Sequence, residues 1–170
     1  IGEAVAPEER WPTVLARRLA AAGTDSGEVV YVARTGWTTG ELLQALDRAS
    51  LEPPYDLVSL LIGVNDQYRG GTVEGFQAGF RELLRRAVSL AGGRPDRVFA
   101  VSIPDYGFTP FGRAGQPAIS RAIDAFNAAA AVTCCAFSVR FISITDITRR
   151  GLEEPALVTG DGLHPSGLAY

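Results

Sequence analysis

The only histidine of the 170-residue chain, His164, stands three residues after Asp161 and directly before Pro165, in the stretch DGLHPSG. An aspartate and a histidine at that spacing are suited to be two members of a catalytic triad, which requires a serine elsewhere. Two further stretches draw the eye: TGWTTG, which holds Gly36, and GVND, which holds Asn65 and Asp66. Taken singly, each has a plainer reading. Gly36 serves equally as a turn glycine, Asn65-Asp66 as an Asx turn or helix cap, and Asp161 with His164 as a cap and a surface histidine before a helix begun by Pro165.

The elements around these residues decide between the readings. WPTVLARRLAAA, Trp11 to Ala22, places Val14, Leu15, Arg18 and Leu19 at helical spacing, with Pro12 tolerated in the first turn and Gly23 as a stop. EVVYVAR, Glu28 to Arg34, is β-branched and aromatic and predicts a strand; a helix follows from about Thr39 to Arg48. Tyr55 to Ile62 is the near-continuous apolar run of a strand covered on both faces. Residues 63–72 are expected as a loop. Val73 to Gly92 is a long helix with Phe76, Phe80, Leu83, Leu84 and Val88 on one stripe, its start weakened by Gly75 and Gly79. A strand from Arg97 to Ile103, an unusually long loop over 104–117, a helix from Ile119 to Phe137 and a strand from Val139 to Thr145 complete the pattern. Alternation of this kind predicts a parallel sheet in a three-layer α/β/α sandwich, one domain over residues 1–170, with ligands at the carboxyl ends of the strands. TGWTTG, GVND and DGLHPSG all open there. Because the pattern begins with a helix, a further strand is expected upstream; with no methionine in the chain and an end at Tyr170 just after Pro165, the reading is of a domain cut at both ends.

Composition narrows the function classes. A formal net charge of −3, with no basic run longer than an Arg pair, argues against a nucleic-acid partner. The longest apolar run, Tyr55 to Val64, carries Asp56 and falls well short of the roughly 20 residues of a membrane span. Cys134 and Cys135 are adjacent, unsuited to an ordinary disulfide, and one histidine leaves too few soft ligands for zinc; both are read as buried structural thiols, and no metal site is expected.

In combination, Gly36, the Gly63-Val64-Asn65-Asp66 block and Asp161-Gly162-Leu163-His164-Pro165 resemble the SGNH hydrolases, the GDSL-type esterases and lipases, in order and in spacing over the whole chain. The resemblance implies a flavodoxin-like α/β fold and an esterase or lipase mechanism with no cofactor. His164 would act as general base and Asp161 would orient it. Gly36, through its backbone N–H, and Asn65, through its side-chain amide, would form the oxyanion hole with the nucleophile's own N–H, and Asp66 would support the loop. A glycine at 36 suits that role because no Cβ blocks the donor's approach to substrate. One block departs from the family: no Gly-Asp-Ser occurs in these residues. Asp25-Ser26-Gly27 lies in a polar connection after the first helix and is rejected, whereas Ile1-Gly2-Glu3 resembles the tail of the nucleophile block. The serine is therefore expected upstream of Ile1, on a first strand lying between 28–34 and 55–62, so this chain is expected to show a gap there and to be inactive alone.

The implied substrate is a small-molecule ester. Trp37, Tyr68, Tyr106, Phe108 and Phe111 are candidate pocket residues, or equally a cover over the open edge of the core, and the lack of a lid-sized insertion favours a small or short-chain ester. A carbohydrate O-deacetylase uses the same triad and is not separable from an esterase by sequence, while a pseudoenzyme fits only if the parent lacks the serine. A nucleotide-binding module is disfavoured because no strand is followed by a phosphate-cradling glycine motif.

Overall fold

The computed structural model describes residues 2–24 and 27–170. Ile1, Asp25 and Ser26 lie outside the described residues, and with them the start of the Ile1-Gly2-Glu3 segment and the rejected Asp25-Ser26-Gly27. Three strands, β1 (Val58–Leu60), β2 (Val98–Val101) and β3 (Arg140–Ile142), form a parallel sheet in the order β1-β2-β3. Each pair of neighbours is joined through a long helix, α4 (Val73–Leu90) or α5 (Gln116–Ala136), as parallel strands require. Val98 and Ala100 of β2 are buried toward α4 and α5, while Phe99 on the opposite face meets Trp11 edge-on at 5.9 Å. Trp11 belongs to α1 (Trp11–Ala21), so helices cover both faces and the fold is the expected α/β sandwich.

The core follows from the α4 stripe. Phe76, Phe80, Leu83, Leu84 and Ala87 are all buried, and the Phe76 ring stacks on Phe126 of α5 at 4.9 Å and meets Phe80 at a tilt at 5.3 Å. Thr72 caps the helix by accepting the Gly75 N–H at 3.1 Å. Gly79, which weakens α4 by propensity, is explained by packing: a Cβ there would stand 2.6 Å from Thr39 Oγ1, so the glycine lets α2 (Thr39–Leu46) come close to α4. On α5, buried Asn127 closes off the end of β2. Its Oδ1 accepts the Ile103 N–H at 2.7 Å and its Nδ2 donates to the Ile103 carbonyl at 3.1 Å, so neither backbone group is left bare.

Four expectations need correction. Residues 28–34 form no strand. Their β-branched content suits a strand, but the outer edge of β1 does not reach them. A cavity of about 800 Å³ lies between, walled by Val30 and Val32 on one side, Val58 and Leu60 on the other, and Leu15 of α1. Among the described residues the segment has no ladder to a neighbouring strand; it is tied down by a 2.7 Å hydrogen bond between the Tyr31 and Thr13 hydroxyls and, at its end, by the turn bond from Trp37 N–H to the Arg34 carbonyl at 3.3 Å. The strand read over 55–62 is paired only across Val58–Leu60. The expected loop 63–72 contains a short helix, α3 (Val64–Tyr68). Of the two cysteines only Cys134 is buried, where burial pushes its thiol up to about 11; Cys135, one position round the helix, is exposed.

Replacing Phe76 by alanine removes the ring at the centre of the Phe80–Phe126 stack. The expected loss is about 3–5 kcal/mol of unfolding free energy, measured by urea titration followed by circular dichroism.

Candidate active site

The carboxyl edge of the sheet is capped by three loops, and each turns on a local constraint. The chain leaves β1 at Leu60 and turns at Gly63, whose φ of +119° is open to glycine and costly for any other residue. A Cβ at this point would also stand 2.5 Å from the Phe76 ring and 2.8 Å from Ile103 Cδ1. The chain therefore turns tightly over the core and enters α3, which carries Asn65, Asp66 and Arg69 at its C-cap toward the loop that precedes α2.

That loop is held by side chains from α3. Asn65 Nδ2 donates to the Trp37 carbonyl at 3.1 Å. Asp66 accepts the Thr39 N–H at 3.0 Å and the Thr39 hydroxyl at 2.6 Å. Arg69 Nη2 donates to the Gly36 carbonyl at 2.7 Å and its Nη1 to Glu41 Oε2 at 3.1 Å. Glu41 closes a capping box with Thr38, accepting the Thr38 N–H at 2.8 Å. The hydrogen bonds from the Thr38 backbone and then its hydroxyl, with Arg69 close by, hold the Glu41 carboxyl below its ordinary value. Gly36 adopts φ +86°, and among the described residues its N–H bonds to nothing. A side-chain amide has two N–H donors, so Asn65 keeps one beyond its bond to Trp37.

The third loop builds the histidine. Val158 and Pro165 form an antiparallel bridge, with Thr159 N–H donating to the His164 carbonyl at 2.8 Å and Ser166 N–H to that of Leu157 at 2.9 Å. Inside this closed turn the Asp161 carboxylate accepts four hydrogen bonds. The Thr159 hydroxyl (2.7 Å) and the N–H groups of Leu163 (2.8 Å) and His164 (3.0 Å) reach Oδ1, and Oδ2 takes the His164 ring at Nδ1 (2.7 Å). Partial desolvation pushes the Asp161 carboxyl upward, but these donors outweigh it and hold the group well below the usual carboxylate range. An ionised partner at Nδ1 places the ring's proton there and leaves Nε2 as the basic nitrogen. Nε2 has no partner among the described residues.

A second cavity, about 550 Å³, adjoins the slot beside β1, and its walls include Gly36, Trp37, Asn65, Tyr68, Tyr106 and His164. It thus brings together the three short stretches singled out by sequence. Phe111 also lines it, with its ring 6.3 Å from that of Tyr68, which in turn meets Tyr106 edge-on at 6.0 Å. Tyr106 is fixed by donating its hydroxyl to Gln67 Oε1 at 2.9 Å. Phe108 does not line the cavity; its ring packs beneath the Arg149 guanidinium at 5.9 Å, on the side held by the buried Asp105. Asp66 stays behind the wall, occupied by Thr39. Arg69, Thr39 and Thr159 were not singled out by sequence, although Thr38-x-x-Glu41 is a legible capping box that marks the loop's end.

Over residues 2–170 the chain matches the model of the GDSL-like lipase/acylhydrolase family. No curated protein sequence matches it. Among solved structures, the psychrotrophic esterase EstA from Pseudoalteromonas sp. superposes with a TM-score of 0.71 at 20% identity, over 99% of this chain and 83% of that one. A lipase/acylhydrolase from Enterococcus faecalis gives 0.64 at 25% identity, over 98% and 80%. The acetylxylan esterase Axe2 from Geobacillus stearothermophilus gives 0.61 at 20% identity, over 79% and 63%.

The hydrogen bonds around Asp161 set an expected acid response. Because its carboxyl is depressed in the folded chain, its contribution to loop order is complete above the ordinary value of about 4 and is lost only as pH falls through the lower folded value. The side-chain carboxyl carbon NMR signal of Asp161 should show its protonation step only in acid below about pH 4. In Asp161→Asn the amide signals of Leu163 and His164 should be displaced from their wild-type positions.

Proposed function

Because the chain belongs to the GDSL-like lipase/acylhydrolase family, we propose that it is the body of a serine ester hydrolase, with the nucleophile on a strand seated in the slot between residues 28–34 and β1. The observation that carries this reading is the Asp161–His164 pair, tautomer-set and with Nε2 unpartnered, lining one cavity with Gly36 and Asn65.

Three features support a strand in the slot. The outer edge of β1 is unpaired among the described residues. Trp11, which lines both cavities, has a buried Nε1–H without a partner. Gly2 and Glu3 line the same second cavity as His164. In this proposal the serine lies upstream of Ile1, at the carboxyl end of that strand.

In the reaction, His164 Nε2 takes the serine proton as the oxygen attacks the ester carbonyl, and the imidazolium that forms is balanced by Asp161. The carbonyl oxygen becomes an oxyanion, met by the N–H of Gly36, the remaining Nδ2–H of Asn65 and the serine's own N–H; each such donor is worth about 3 kcal/mol. Collapse expels the alcohol, which receives the proton from His164. Water then repeats the sequence on the acyl-enzyme and releases the acid. Asp66 supports the donor loop through Thr39. A cavity of about 550 Å³, apolar on the side of Trp37, Tyr68, Tyr106 and Phe111, suits a small or short-chain ester.

Residues 1–170 alone should remain unlabelled by a fluorophosphonate probe, whereas the protein with its upstream segment should be labelled at a serine in that segment. A label on any serine within residues 1–170 overturns the reading. In the labelled protein, His164→Ala or Asp161→Asn should lower kcat for p-nitrophenyl acetate by about 10³- to 10⁴-fold with an unchanged circular dichroism spectrum; near-normal turnover sinks the triad.

A further inference from the structure

Gly36 presents a problem that the proposed mechanism leaves open. A glycine with positive φ has the widest conformational freedom of any residue, and an oxyanion donor must be held in place before the charge develops. Within its own loop Gly36 is restrained only by the turn bond from Trp37 N–H to the Arg34 carbonyl, at 3.3 Å. The strongest bond to the residue comes from outside the loop, the 2.7 Å contact from Arg69 Nη2 to the Gly36 carbonyl.

We infer that Arg69 is a positioning residue for the oxyanion donors, acting through the Gly36 carbonyl; the inference rests on the proposed hydrolase reading. Arg69 is absent from the walls of the cavity, so it stands outside the space offered to substrate. Its guanidinium spans two acceptors, the Gly36 carbonyl and Glu41 Oε2, and Glu41 is itself locked to Thr38 by the capping box. The planar fork thereby ties one end of the donor loop to the start of α2, while Asn65 holds Trp37 and Asp66 holds Thr39 in between. Three side chains of one short segment thus fix residues 36, 37 and 39, which carry or flank the donors. The ion pair itself is solvent-exposed, at 52% for Arg69 and 40% for Glu41, so it adds little to global stability. Its effect is local, in the aim of one glycine. Lysine does not replace it, because an ammonium on a flexible stem lacks the rigid two-acceptor fork.

The test uses the full-length protein with its upstream segment. In Arg69→Met, amide hydrogen exchange across residues 35–39 should accelerate while α4 and α5 keep wild-type protection. Since the donor is displaced rather than removed, kcat for p-nitrophenyl acetate should fall by about tenfold, less than the 10²- to 10³-fold typical of a lost donor, with KM within about twofold. Arg69→Lys should show the same kcat-selective loss in smaller measure, and guanidinium ion should restore part of the Arg69→Met deficit. Unchanged exchange together with unchanged kcat overturns the inference, as does a loss confined to KM, which would make Arg69 a substrate contact. Failure of the hydrolase reading is distinguished by the His164→Ala control: full activity there rejects the triad, and the exchange measurement still decides whether Arg69 orders the loop.

Discussion

The turn at Gly63 is the constraint on which the arrangement depends. Its left-handed backbone, closed against the Phe76 ring and Ile103, turns the chain shortly after β1 and starts α3 at the next residue. Phe76 is buried and meets both Phe80 and Phe126, so the core and the first step of the site share a wall. From that turn α3 projects Asn65, Asp66 and Arg69 onto the loop before α2. The approach is close because Gly79 of α4 leaves room for Thr39, the same threonine that Asp66 holds. Two glycines with different needs, one conformational and one steric, therefore bring the loop before α2 to the sheet edge.

The histidine loop is built on different physics. It is half-buried, with Leu163 packed against the core, and its order comes chiefly from one carboxylate that accepts four hydrogen bonds inside a turn of six residues between Thr159 and His164. Charge-assisted bonds of this kind are shorter and stronger than neutral ones, and here they set the ring's tautomer and the loop's shape together. The arrangement has to be local, because the nearest strand, β3, ends well before it and α6 (Thr145–Thr148) and a run of turns intervene.

Much of the site was legible because its residues are few in kind and fixed in spacing. One histidine, placed three residues after an aspartate, and an Asn-Asp pair behind a glycine leave little else to pair in a chain this short. The helices were legible for the same reason, since the α4 stripe has a single consistent period. The strand at 28–34 was misread because β propensity describes a residue's fit to a sheet and says nothing about whether a neighbour is there to bond. The helix α3 was missed because GVNDQY carries no helical stripe; tertiary contacts to the loop before α2, not periodicity, hold it. Residue type leaves Phe108 equally a pocket residue or a cover for the core, and its place beneath Arg149 goes with the long-range ion pair between Arg149 and Asp105, invisible in local sequence.

By itself the sequence determined the α/β alternation, the core stripe of α4, and the chemical identity of the residues at the sheet's carboxyl edge, because periodicity and side-chain chemistry are local properties. Tertiary structure alone decided which of those residues meet. It put Asn65, Gly36 and His164 around one cavity, gave Arg69 to the Gly36 carbonyl, left Cys135 outside, and kept β1 and residues 28–34 apart across an apolar slot. Each of these depends on distances between segments remote in the chain, and such distances are set by how the helices pack on the sheet.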